Sequence, residues 1–106
     1  MKQELEAVNW RDMNDNPAGG YVNGVGLSIN WQRGPLSVNG ERKQPNGAFV
    51  ETVIAAVKQR IEEYQSSKFA CDKNEKAIMY LGLALNELNA RTAEREARGV
   101  EGTHEI

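Results

Sequence analysis

Arg91, Arg95 and Arg98 follow one another at spacings of four and three, so in a helix they line one side of its last turns. Guanidinium forks in such a row suit phosphate oxygens, which they grip through paired hydrogen bonds. The same placement has a plainer reading. Cations at a helix C-terminus complement its dipole, and Glu94, Glu96 and Glu101 are close enough in sequence to pair with them. Flat side chains are the other half of nucleotide capture, because bases stack on them. Tyr64 and Phe69 flank a turn, and Trp31 stands two positions before Arg33. Taken singly, each also suits a core. Asn74 and Asn89 carry amides able to read a base edge, or simply to face solvent.

Chemistry of the bond-breaking kind has little to work with. Nucleophilic catalysis needs a base beside a Ser, Cys or Thr. The one histidine, His104, lies in the C-terminal tail and reads as a solvated residue. One Cys and one His at opposite ends of a helix do not make the three or four ligands of a zinc site. Gly24-Val25-Gly26 lacks the full dinucleotide fingerprint and the βαβ unit that would follow it, so it reads as turn material. Glu62 and Glu63 point different ways from a helix and form a solvated face. We therefore expect no catalytic residues, no metal site and no cofactor. Cys71, the only cysteine, has no intrachain partner and reads as a packed thiol.

A length of 106 residues sets an expectation of one domain. A hydrophobic share of 40% and a charged share of 26% are those of an ordinary globular chain. The net charge of −2 argues against a DNA or RNA polymer as partner, yet leaves room for a small anion held by two or three arginines. The polar start, residues 1–11, is unlike a signal peptide. No run approaches the ~20 apolar residues that span a bilayer. The expected location is the cytoplasm, with no membrane partner.

The elements that must position these groups divide the chain into residues 1–45, 46–99 and 100–106, and the expected class is α+β. Residues 1–24 read as irregular, because Asn14, Asp15, Asn16, Pro17, Gly19 and Gly20 are turn formers. Lys2 to Val8 would be an arm or short helix, with Trp10 anchoring it or meeting a partner chain. Residues 25–40 read as strand: Leu27, Ile29 and Trp31 alternate with Ser28, Asn30 and Gln32. Gly34-Pro35 breaks this run, Leu36 to Val38 would pair back across it, and Asn39-Gly40 marks another turn. Asn46 is a candidate N-cap for a first helix whose seam is Val50, Ile54, Val57, Ile61 and Tyr64. Ser66-Ser67 turns the chain, and a second helix starts near Cys71 or Asp72. Its seam is Ala77 or Ile78, Leu81, Leu85 and Leu88, and Gly99 stops it. So short a turn makes the helices antiparallel neighbours. Phe49, Phe69, Tyr80 and Leu83 point off the seam, so other copies are expected to complete the core as a homo-oligomer.

Several stretches in order carry a further signal: residues 31–36 (WQRGPL), 45–51 (PNGAFVE), 64–71 (YQSSKFAC), 89–92 (NART) and 98–104 (RGVEGTH). Together they resemble the phage anti-Thoeris and anti-CBASS sponge family, which shares a helical-hairpin domain. Strand motifs ahead of the hairpin bring the chain closer to the anti-Thoeris branch. The resemblance covers roughly residues 27–104. It implies a non-enzymatic oligomer, dimer or hexamer, that sequesters cyclic ADP-ribose isomers or cyclic di- and trinucleotides in the cytoplasm of an infected bacterium. It further implies ligands held between subunits. Arg91 and Arg95 would meet phosphates, Tyr64 would stack on a base, and Asn74 would hydrogen-bond a base. Arg33 and the Gly34-Pro35 turn would close over the ligand. Two other classes remain open: a phosphodiesterase-type enzyme that degrades the messenger, and a helical-hairpin interaction protein.

Overall fold

The computed structural model describes residues 3–106. It is α+β, with antiparallel strands first and two helices after them. The chain forms two compact units, one from residues 3–49 together with 100–106 and one from Val50–Gly99.

In the first unit, β1 (Glu6–Arg11), β2 (Pro17–Gly24) and β3 (Leu27–Asn30) make a three-stranded antiparallel sheet in that order. Two of these strands fall where irregular chain was expected. Turn formers mislead here for two reasons. Asn14 to Asn16 do turn, between β1 and β2, where the Asp12 Oδ1 accepts the N–H of Asn14 at 2.8 Å and of Asn16 at 3.0 Å. Gly19 and Gly20, by contrast, lie inside β2 as room for neighbours, since a Cβ on Gly20 would stand 2.1 Å from the Val8 carbonyl oxygen. Glu6, Ala7 and Val8 are strand residues, not helix, while Lys2 falls outside the described residues. Trp10 anchors through the sheet itself, opposite Gly19 in register.

Residues 36–38 do not pair back onto β3. Ser37 and Val38, as β4 (Ser37–Val38), pair with β5 (Glu41–Arg42) across the Asn39-Gly40 turn. Leu36 is the one buried apolar side chain among the described residues, 7% exposed. Gly102 lies against it and accepts the Ser37 N–H at 2.8 Å, and Glu101 takes the Arg42 guanidinium on both oxygens. His104, expected to be solvated, stands 3.7 Å from Asp12. Residues 101–104 are thereby tied both to the β4–β5 hairpin and to the β1–β2 turn.

The second unit is the helical hairpin. α1 (Val50–Gln65) has 16 residues and α2 (Asp72–Ala97) has 26, about 24 and 39 Å at the helical rise. They pack antiparallel along half-buried stripes, Ile54, Lys58, Ile61 and Gln65 on α1 and Ile78, Leu81, Leu85 and Leu88 on α2. Lys58 and Gln65 replace Val57 and Tyr64 of the expected seam, because Gly82 leaves space for the Lys58 stem. No residue of either helix is fully buried. Val50, Val57, Phe69, Met79, Tyr80 and Leu83 remain exposed, Tyr80 at 62%. Arg98 caps α2 at its C-terminus and Gly99 follows at φ 75°, the left-handed stop its type favours. No helix among the described residues is long and apolar enough to cross a membrane.

Candidate ligand-binding site

At the turn of the hairpin, side-chain amides do the backbone's work. The Gln65 Oε1 accepts the Cys71 N–H and its Nε2 donates to the Cys71 carbonyl, both at 3.0 Å. Cys71 is exposed, not packed. It is the N-cap of α2, its Sγ accepting the Asn74 N–H at 3.5 Å. The Asn74 side chain donates through Nδ2 to the Phe69 carbonyl at 3.3 Å. One donor of the expected base reader is thus spent on the turn, while its Oδ1 keeps its capacity to accept.

Tyr64 stands at the same end, 43% exposed. Arg60, one helical turn earlier, lies over its ring at 4.8 Å and donates from Nε to the hydroxyl at 3.2 Å. Sequence reading passed over Arg60, although an Arg four residues before an aromatic is the spacing that brings the two together. The tyrosine therefore offers a stacking surface already polarised by a cation.

Arg91 and Arg95 occupy the other end of α2. Arg95 falls on the half-buried stripe that continues Leu85, Leu88 and Thr92, whereas Arg91 is exposed and its guanidinium meets no acceptor among the described residues. Arg98 pairs with Glu94 at 3.7 Å, an exposed contact worth little by itself. From Asn74 to Arg91 the helix rises about 25 Å. Tyr64 and Asn74 on one side, and Arg91 and Arg95 on the other, are therefore not brought together within one hairpin.

Arg33 belongs to the sheet unit and is the most closely held of the expected residues. Its N–H donates to the Asn46 Oδ1 at 2.8 Å, and its carbonyl accepts the Asn46 Nδ2 at 3.2 Å and the Gln32 Nε2 at 3.3 Å. Asn46 in turn donates its own N–H to the Gln32 Oε1 at 2.9 Å. Asn46 is thus no helix cap, since α1 begins at Val50. Beside this clamp, Trp31 and Ala48 bridge in parallel, and a Cβ on Gly47 would stand 2.5 Å from the Trp31 carbonyl oxygen. The guanidinium of Arg33 lies 5.0 Å from the Trp10 ring, and that ring meets Tyr21 edge-on at 6.1 Å. Among the described residues no three His, Cys, Asp or Glu side chains converge as metal ligands would.

No protein-family model matches the chain. Over 78 residues it is 49% identical to Thoeris anti-defense 1 of Bacillus phage SBSphiJ7, an alignment that covers 74% of this chain and 52% of that relative. The chain spans about half the length of the curated relative it matches. The resemblance read over roughly residues 27–104 is borne out at the level of the anti-Thoeris branch.

Proposed function

Over its matched three quarters this chain belongs to the anti-Thoeris family, and from that premise we propose that it is a phage immune-evasion protein that sequesters a signalling nucleotide without cleaving it. The ligand class is a cyclic ADP-ribose isomer or a cyclic di- or trinucleotide, and the place of action is the cytoplasm of the infected host. One observation of the geometry supports the reading above others. The hairpin stations an aromatic and an amide at one end and two arginines about 25 Å away, so the groups that suit a nucleotide are complementary only between copies. The exposed apolar side chains Val57, Met79, Tyr80 and Leu83 supply a surface on which copies can meet.

In that assembly, a dimer or hexamer, the Tyr64 and Asn74 end of one protomer faces the Arg91 and Arg95 end of another. Tyr64 takes a base on the ring surface that Arg60 leaves open, and the Asn74 Oδ1 accepts from an exocyclic amine. Arg91 and Arg95 donate to phosphate oxygens, and these charge-assisted bonds offset the water the anion gives up. Capture asks only for affinity and slow release, not for a general base.

The test is recovery. Protein incubated with cyclic ADP-ribose or a cyclic dinucleotide is heat-denatured and the supernatant analysed by mass. Intact ligand, together with a thermal shift, is the expected outcome; at a thousandfold excess over Kd the stabilisation is about 4 kcal/mol. Linear product would identify a phosphodiesterase. The absence of a shift with every member of the panel would leave an assembly protein instead.

A further inference from the structure

The β1–β2 hairpin holds none of the expected ligand-binding residues, yet it touches one of them, Arg33, within the sheet unit. Trp10 and Gly19 face each other in the β1–β2 register. A Cβ on Gly19 would stand 3.0 Å from the Arg33 Cγ and 3.4 Å from its Cα, so the Arg33 stem crosses the sheet at the one position in that pair without a side chain. Gly19 has φ 119°, a conformation that also disfavours any other residue there. Beyond Gly19 the guanidinium comes to rest 5.0 Å from the Trp10 ring. The ring is itself braced edge-on by Tyr21, whose hydroxyl donates to Glu6 at 3.4 Å.

What the guanidinium does not do matters as much. Arg11, Arg42, Arg60 and Arg98 each engage an oxygen of a neighbour. The Arg33 guanidinium meets a ring and, among the described residues, no carboxylate and no carbonyl. A cation–π contact satisfies the charge but consumes none of the five N–H donors. Ordering such a long side chain costs rotamer entropy, and an arginine whose backbone and stem are already held has less of it left to lose on binding.

We propose that Trp10 and Asn46 are positioning residues that hold the Arg33 guanidinium as a ready-made receptor for phosphoryl oxygens, Trp10 through its ring and Asn46 through the Arg33 backbone. The proposal deepens the nucleotide-capture reading and rests on it for the identity of the anion's owner: the oxygens are those of the ligand's pyrophosphate or phosphodiester linkage. The β1–β2 hairpin is then part of a phosphoryl receptor carried by the sheet unit itself.

The experiment follows the arginine Nε–Hε resonances of the full chain at pH 6 while inorganic pyrophosphate is added. In the wild type, Arg33 should carry a ring-current shift and should move on titration. Trp10→Leu should abolish that shift and weaken the Arg33 response about threefold, the loss expected of a cation–π contact. Trp10→Phe, which keeps a ring, should restore part of both. Asn46→Ala should broaden the Arg33 signal and weaken the same response with helical circular dichroism retained. An Arg33 resonance that ignores pyrophosphate, or one that answers equally in Trp10→Leu, overturns the proposal. These outcomes are independent of the nucleotide panel. If pyrophosphate binds at Arg33 while no cyclic nucleotide shifts the melting temperature, the receptor stands and the assigned ligand falls.

Discussion

Arg91 and Arg95 differ in surroundings though one helical turn separates them: Arg91 is exposed, Arg95 half-buried. Replacing either with Ala should weaken nucleotide binding about tenfold, the usual worth of a charge-assisted hydrogen bond, and leave far-UV circular dichroism nearly unchanged. Calorimetric titration checks this, and normal binding by both variants would remove the phosphate role from this end of α2. Asp12 supports a second expectation. Backbone N–H donors, that of Asn16 foremost, hold its carboxyl below the ordinary value of 3.8, and nearby His104 acts in the same direction. A carboxyl lowered on folding stabilises the fold at any pH above its ordinary value and loses that contribution as pH falls through the lowered one. Acid should therefore loosen the β1–β2 turn only below about pH 4. Asp12→Asn keeps an accepting oxygen but does not titrate, so its acid-unfolding curve, followed by tryptophan fluorescence, should be flatter there. Residue types marked the arginines, Tyr64 and Asn74 as candidates for binding chemistry beside their plainer readings. They could not announce Trp10 beside Arg33, because that meeting is made by strand register and by the missing side chain of Gly19.

Elements were legible in proportion to their regularity. Residues of α2 repeat at three and four from Ile78 to Leu88 and end in an arginine followed by Gly99, so its course and its stop follow from pattern alone. The α1 seam was legible only in part, since Gly82 admits Lys58 where an apolar residue was expected. β1 and β2 carry no such pattern: Glu6–Arg11 is almost wholly exposed, and Pro17–Gly24 contains Pro, Asn and three glycines. Pairing across the sheet, not propensity, makes them strands. Asn46 misled for a related reason, because the amide that suits an N-cap equally suits a backbone clamp. Gly47 gives a test at this scale. Gly47→Ala drives a methyl into the Trp31 carbonyl and should cost about 3 kcal/mol, lowering the melting temperature by about 10 °C or more. A melt within a few degrees of wild type would mean that the 30–33 and 46–48 segments are free to separate.

The whole molecule is short of interior. With Leu36 the one buried apolar side chain among the described residues and neither helix burying a residue, a lone chain has little to set against the entropy of ordering itself. Light scattering behind size exclusion should report an oligomer. Tyr80→Glu with Leu83→Glu should convert it to a monomer, because two charges would enter the apolar surface between copies. A wild-type monomer at micromolar concentration would remove the shared site and leave each end of the hairpin to bind alone.

The sheet unit is not contiguous along the chain, since Glu101 and Gly102, which grip the β4–β5 hairpin, come after both helices. A ribosome therefore makes the strands first and their fastening last. Through the whole synthesis of α1 and α2, Leu36 waits without the backbone that will cover it, while the helices, whose contacts are local, are free to form as they emerge. A nascent chain arrested after α2 but before Gly102 would carry a finished helical hairpin together with an unfastened sheet unit, which is the species that proteases and chaperones would meet.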